Sequence, residues 1–277
     1  MIISIASGKG GTGKTTVATS LALSLKEKIQ FLDCDVEEPN AHIFLKPEFL
    51  KEESVKIEIP EIDFSKCDFC GKCAEICAFN SIIVFKEKVL IFENLCHSCG
   101  GCKLICSKGA ISYKEREIGI VKEGNFNGSF FINGILNLKE PMPTPVIEKV
   151  KKHIKEEKIV IIDSPPGTSC PMIKTVIGSD FCILVTEPTP FGLNDLKLAV
   201  DVLRKLKIPF GVIINLVDLG DDKVEKYCKD ENIDILLKIP FNRKISNGYS
   251  QGISLVDVMP EYKEKFKNLF KKIKGFI

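Results

Sequence analysis

Apolar residues fall in short, nearly unbroken runs along the chain, at 1–6, 158–163, 181–186, 210–215 and 235–239. Runs of this length predict strands, and a strand that is apolar throughout needs cover on both faces. A further strand ends at Phe31-Leu-Asp-Cys-Asp35, and residues 55–59 (Val-Lys-Ile-Glu-Ile) alternate as an exposed strand would. Residues 118–135 return to strand and turn signals, with glycines at 119, 124, 128 and 134. Helical patterns occupy 17–25 and 143–157. Strands alternating with helices predict an α/β fold, an open and mainly parallel sheet with helices on both faces. The 277 residues suffice for one such domain of about 200 residues and a small insert.

Near the C-terminus, Tyr262, Phe266, Leu269, Phe270, Ile273 and Phe276 recur at helical spacing among lysines 263, 265, 267, 271, 272 and 274. A basic amphipathic helix can lie on anionic lipid. The plainer reading, which we favour, packs the apolar stripe on the sheet and leaves the lysines in water. The net charge of +2 gives no electrostatic reason to expect a nucleic-acid partner. No run of 18 apolar residues predicts a membrane span, and the first strand leads straight into a glycine-rich loop, unlike a removable signal. Twelve cysteines in such a chain point to a reducing, cytoplasmic setting.

That loop reads Ser7-Gly-Lys-Gly-Gly-Thr-Gly-Lys-Thr-Thr16. It fits G-x-x-x-x-G-K-[ST] with Gly8, Gly13, Lys14 and Thr15, placed between a strand and a helix as a phosphate-binding loop requires. Gly8, Gly10, Gly11 and Gly13 free the backbone so that N–H groups, including those of Thr12 and Thr16, converge on phosphate oxygens. The following helix adds its N-terminal dipole. Lys14 is expected on the β- and γ-phosphates, and the Thr15 hydroxyl on Mg2+. The strand at 158–163 ends in Asp163, the Walker B pattern, expected to hold Mg2+ through water. Ser164-Pro-Pro-Gly167 follows, where the Gly167 N–H can turn toward the γ-phosphate. Asp33 and Asp35 close another strand, where ligand sites of parallel sheets gather.

Eight cysteines stand in two copies of C-x2-C-x2-C-x3-C: Cys67, Cys70, Cys73, Cys77, then Cys96, Cys99, Cys102, Cys106. This is the ligand spacing of bacterial ferredoxins with two [4Fe–4S] clusters, in which the fourth cysteine of each run serves the other cluster. One cluster is therefore assigned Cys67, Cys70, Cys73 and Cys106, and the second Cys96, Cys99, Cys102 and Cys77. Gly71, Gly100 and Gly101 let the backbone curl close to sulfide. Zinc sites also use paired C-x2-C motifs, but seldom two complete four-cysteine runs in this order. Ala78 and Ser107 stand where proline usually follows the fourth cysteine, which affects the turn and not the ligands.

With its second lysine, the run Lys9-Gly-Gly-Thr-Gly-Lys14 resembles the deviant Walker A motif of the Mrp/MinD/ParA and nitrogenase iron-protein class. The whole chain resembles Mrp/MinD-type P-loop ATPases carrying an inserted two-cluster ferredoxin domain. That resemblance implies ATP, Mg2+ and two [4Fe–4S] clusters as cofactors. It implies a homodimer in which Lys9 reaches the partner's nucleotide, and Asp35 in switch I positioning the attacking water or Mg2+ waters. It places Asn215 on the adenine edge and Pro240 in a base-contacting loop. The domains become 1–61 and 115–277 for the ATPase, interrupted at 62–114 by an α+β ferredoxin insert.

Other residues are ambiguous. Cys34 is expected in the core. Cys170 lies seven residues after Asp163, where the iron protein places a cluster-bridging cysteine, yet a packed thiol is the default. His97 beside Cys96 is either a tuning group or an exposed loop residue. Asn40 and His42 receive no role. The leading function is an ATPase coupling MgATP turnover to electron transfer through the clusters, toward an unidentified redox or client protein. An alternative is assembly or delivery of iron–sulfur clusters or a metallocofactor, although the C-terminal C-x2-C of Mrp scaffolds is missing. A MinD/ParA-like spatial regulator comes last, because it has no use for eight cluster cysteines.

Overall fold

A computed structural model describes all 277 residues. Nine strands form one sheet in the order β11-β10-β9-β1-β8-β2-β7-β6-β3. They are β1 (Ile2–Ala6), β2 (Ile29–Asp33), β3 (Glu48–Ile62), β6 (Ile111–Phe126), β7 (Ser129–Leu136), β8 (Ile159–Asp163), β9 (Phe181–Thr186), β10 (Phe210–Asn215) and β11 (Ile235–Ile239). Every pair from β11 to β7 is parallel, and β7-β6 and β6-β3 are antiparallel. β4 (Ile82–Phe85) and β5 (Lys88–Ile91) make a separate hairpin.

Helices cover both faces, as the unbroken apolar runs require. Along β9, Phe181, Ile183 and Val185 enter one core with α1 (Lys14–Ser24), α2 (Ala41–Leu45), α10 (Leu255–Val258) and α11 (Glu261–Lys274). Cys182 and Leu184 enter the opposite core with α6 (Cys170–Val176), α7 (Pro190–Leu206) and α8 (Lys223–Asp230). α5 (Thr144–Lys151) packs on the same side over β2, β6 and β7. α9 (Arg243–Ser250) follows β11. On α11, Tyr262, Phe266, Leu269, Phe270 and Ile273 are all buried in the first core, and Phe276 just beyond it is 43% exposed while stacking on Phe181, so five of the six stripe residues serve the protein interior. No helix is long and apolar enough to cross a membrane.

Three elements depart from the sequence pattern. The alternating segment 55–59 is the middle of β3, fifteen residues long. Its outer part is masked by charge: Lys51 pairs with Glu123, Glu52 with Lys122 and Lys56 with Glu115 across to β6. Such exposed pairs add little stability, but opposite charges facing each other favour one register. The 118–135 region is a hairpin turning at Asn127 and Gly128, both at positive φ (48° and 76°), a two-residue turn that Asn-Gly adopts readily. The helix expected over 143–157 ends at Lys151. Beyond it the chain turns down onto Gln30, whose amide donates to His153 O (2.6 Å) and accepts from Lys155 N–H (2.9 Å).

β3 and β6 outrun the sheet and carry the cysteine-rich segment at their far end. Ile62 pairs with Ile111, and the Asp63 N–H donates to Ala110 O (2.8 Å). There, α3 (Lys72–Glu75), α4 (Gly101–Ile105) and the β4–β5 hairpin form a small unit with its own core of Ile82, Val89, Cys102 and Ile111.

Candidate functional site

Two regions gather the chemistry. The first lies at the C-terminal end of β1, whose sheet neighbours are β8 and β9, the place where open α/β sheets bind ligands. A cavity of about 480 Å3 opens there, lined by Gly10, Gly11, Gly13, Lys14, Thr15 and Thr16 together with Asp35, Asn215 and Pro240. The phosphate loop, Asp35, Asn215 and Pro240 therefore share one cavity. Its outer wall comes from residues the sequence left unassigned: Asn242, Ile245, Ser246 and Tyr249 at and along α9, and Glu38 and Asn40. Tyr249 rests on Phe44 of α2 (ring centroids 5.0 Å).

The glycines divide by cause. A Cβ on Gly8 would meet Asp195 O of α7 at 2.1 Å, whereas one on Gly10 would meet nothing within 4 Å. Gly8 serves close packing, and Gly10 faces open cavity. Gly13 sits at φ 91°, with the Asn215 amide against it. Asn215 Nδ2 donates to Thr12 O (3.0 Å), so this side chain braces the loop as well as lining the cavity.

Asp163 and Asp33 are register neighbours on adjacent parallel strands, and both are fully buried. Neither Asp163 oxygen has a hydrogen-bond partner. Burial pushes its carboxyl up to about 6, although the Lys14 charge and the Thr15 hydroxyl, close by but outside hydrogen-bond geometry, oppose this. Orphaned buried carboxylate oxygens beside a phosphate loop fit a cation. Asp33 is pushed well above its ordinary value by burial and by Asp163. Its carboxyl group accepts the Asp35 N–H (3.2 Å) and the Ala41 N–H (3.1 Å), fixing both ends of the 35–41 segment. Asp35 lies 3.9 Å from Lys14 Nζ and is raised to about 7, chiefly by burial, with Lys14 opposing.

Lys9 and Gly167 both engage partners within the chain. Lys9 is not among the cavity-lining residues; its Nζ pairs with Glu187 Oε2 at 2.9 Å. The Gly167 N–H donates to Ser7 O (3.0 Å) and in this conformation is not aimed at a phosphate. Cys34 is fully buried, as expected, and its backbone N–H holds Asp163 O (2.9 Å). Cys170 opens α6 and is exposed, unlike the packed thiol expected of it. α6 is instead tied to α5 by Lys151, whose Nζ donates to Lys174 O, Thr175 O and Ile177 O at 2.7, 2.8 and 2.6 Å.

The second region holds the eight cysteines, all free thiols. One recess is lined by Cys67, Cys70, Cys73 and Cys106. The other is lined by Cys77, Cys96, Cys99 and Cys102, along with His97 and the β3 and β6 residues Glu58, Pro60 and Tyr113. Gly71 and Gly100 turn the loops at φ 81° and 80°. Cys77 Sγ accepts from the Ser81 N–H (3.3 Å). Although burial alone would raise its thiol, hydrogen bonds led by the Ser81 side chain hold it below its ordinary value. Convergent free thiols with hydrogen-bond donors at sulfur fit an iron–sulfur cluster in each recess. His97 stacks on Phe79 with centroids 3.6 Å apart.

The family model of the CobQ/CobB/MinD/ParA nucleotide binding domain matches residues 3–256. The chain belongs to that family. It is a P-loop ATPase of the MinD/Mrp type. An uncharacterised protein of Methanocaldococcus jannaschii is 35% identical over 282 residues, spanning 100% of this chain and 98% of that one. The iron-sulfur cluster carrier protein of Pyrococcus abyssi is 26% identical over 306 residues, spanning 99% and 88%. Among solved structures, the septum site-determining protein MinD of Pyrococcus horikoshii, complexed with Mg-ADP, shares the fold at TM-score 0.59 and 21% identity, covering 98% of this chain and 95% of that one.

Proposed function

We propose that this CobQ/CobB/MinD/ParA family member is a cytoplasmic, homodimeric ATPase that couples MgATP turnover to electron transfer through two [4Fe–4S] clusters. One observation carries the reading. The unit bearing the eight cysteines, residues 62–114, hangs on strands continuous with the ATPase sheet, and β3 begins three residues after α2, the helix that follows switch I. Lys14 and Thr15 take the phosphates and Mg2+, Asp163 holds Mg2+ through water, and Asp35 orients the attacking water. Asn215 and Pro240 border the base, and Lys9 leaves Glu187 to reach the partner's nucleotide. Cys67, Cys70, Cys73 and Cys106 hold one cluster, and Cys77, Cys96, Cys99 and Cys102 the other. When bound, the clusters supply one-electron transfer. A modest bias suffices: 59 mV on a one-electron couple is about 1.4 kcal/mol, tenfold in equilibrium.

A second reading, delivery of clusters to acceptor proteins, is favoured by the carrier protein of Pyrococcus abyssi. Against it, each recess draws four cysteines from one chain, which fills the protein ligand positions of a cubane. Anaerobic purification and potentiometric EPR with and without MgATP test the choice. A nucleotide-dependent shift in potential supports coupling. Unchanged clusters that pass readily to an apo-acceptor support delivery.

A further inference from the structure

The two halves of the cysteine unit repeat one another at a constant offset of 29 residues, Cys77 answering to Cys106. The structure keeps this correspondence closely. Phe69 and Ser98 both have positive φ (57° and 52°). The Phe92 N–H donates to Ser81 O at 2.8 Å, as the Asp63 N–H donates to Ala110 O at 2.8 Å. Ile82 pairs with Ile91, as Ile111 pairs with Ile62. In each half the residue four places after the fourth cysteine donates its N–H back to that sulfur: Ser81 to Cys77 Sγ at 3.3 Å, Ala110 to Cys106 Sγ at 3.4 Å.

At this point the halves differ. Ser81 Oγ lies 3.2 Å from Cys77 Sγ, whereas Ala110 has no hydroxyl to offer. Ser81 is 2% exposed, so water does not compete strongly for it. A cysteine that ligates iron is a thiolate and accepts only, so the hydroxyl is the donor.

We propose that Ser81 makes the two cluster sites electrochemically unequal, its O–H raising the reduction potential of the cluster held by Cys77, Cys96, Cys99 and Cys102. The inference rests on the reading that the eight cysteines hold two clusters. Reduction adds one negative charge, shared by the ligand sulfurs. A donor aimed at such a sulfur stabilises the reduced state more than the oxidised one. The site so tuned is lined by Glu58, Pro60 and Tyr113, nearer the main sheet along β3 and β6 than the Ile62 and Ile111 that line the other recess, so the hydroxyl biases an electron toward the ATPase side of the unit. Ser81 is a tuning residue whose hydroxyl meets the ligand sulfur and no reacting atom. It follows the first cysteine run, yet three of the four ligands of the cluster it affects lie in the second.

The test uses the full chain, purified anaerobically, with iron and sulfide counted before potentiometric EPR titration. Ser81→Ala is expected to move one of two midpoint potentials downward by the equivalent of a three- to tenfold change in the reduction equilibrium, roughly 30–59 mV. The other potential stays in place. Ala110→Ser, which adds the missing hydroxyl, is expected to move that other potential upward, and Ser81→Thr to keep the wild-type value. Two intact clusters with unmoved potentials in Ser81→Ala, or equal shifts of both, overturn the proposal. If Ser81→Ala loses a cluster, Ala110→Ser decides, because failure to raise the second potential overturns it equally. A wild-type protein that reconstitutes no cubane cluster sinks the functional reading itself, a result distinct from clusters that are present but insensitive to Ser81.

Discussion

Lys9 Nζ and Glu187 Oε2 lie 2.9 Å apart, joining the phosphate loop to the end of β9 within one chain. A lysine held this way must break the pair before it can reach a neighbouring subunit. The pair is partly exposed, 31% and 14%, so its worth is about 0.5–1 kcal/mol. Glu187→Gln is expected to favour the ATP-bound dimer by roughly two- to fivefold, read by sedimentation with a non-hydrolysable analogue. Lys9→Ala is expected to bind nucleotide yet lose hydrolysis. A Lys9→Ala protein hydrolysing at the wild-type rate would remove Lys9 from the mechanism.

Gly8 and Gly10 separate packing from ligand space. A Cβ at Gly8 would collide with Asp195 O at 2.1 Å, while one at Gly10 is unopposed. Gly8→Ala should lower thermal stability, by about 1–3 kcal/mol for overpacking. Gly10→Ala should melt like wild type alone but lose the stabilisation that MgADP confers. Differential scanning fluorimetry with and without MgADP distinguishes the two, and full MgADP stabilisation of Gly10→Ala would contradict the cavity assignment.

Asp163 carries a pH signature. Burial raises its carboxyl from the ordinary 3.8 to about 6 in the fold, because it disfavours the charge. A group raised on folding contributes stability below its unfolded value and loses it as pH climbs to the folded value. In chelator, this residue therefore lowers stability between about pH 4 and 6 and holds it low above. Two pH units correspond to at most about 3 kcal/mol. Asp163→Asn is expected to be more heat-stable than wild type at pH 8 in chelator, with a flatter pH profile and no phosphate release. A melting temperature lower than wild type across that range would contradict the account.

Lys151 closes the end of α6 with three hydrogen bonds to backbone carbonyls. Burial lowers the value of its ammonium, so losing it leaves carbonyls without donors. Lys151→Met should cost about 1–3 kcal/mol, a fall of several degrees in melting temperature for a chain of this size. An unchanged melting curve would mean that water replaces all three bonds.

Phe266 is fully buried among the residues of the first core. Phe266→Ala should destabilise by about 3–5 kcal/mol in urea titration. Cosedimentation of the wild type with anionic vesicles should not depend on ATP. ATP-dependent vesicle binding with normal stability in Phe266→Ala would restore the lipid reading of α11.

The phosphate loop, the Walker B strand and both cysteine runs were legible because each is contiguous. A loop that wraps a phosphate or a cubane needs its residues at fixed short spacings, and the sequence records those spacings directly. The unbroken apolar strands likewise announced a sheet covered on both faces. Other features depend on which surfaces meet, and spacing does not encode that. Glu187 stands far along the chain from Lys9, and α9 brings Ser246 and Tyr249 to the nucleotide cavity from near the C-terminus. Periodicity gave α11 an apolar face but not what covers it. The charged outer strand β3 hid its length because cross-strand pairing with β6, not its own pattern, holds it extended. Sequence determined the chemistry each loop can perform; tertiary contact decided which distant side chains brace it or hold it back, because those contacts join residues whose separation along the chain carries no pattern.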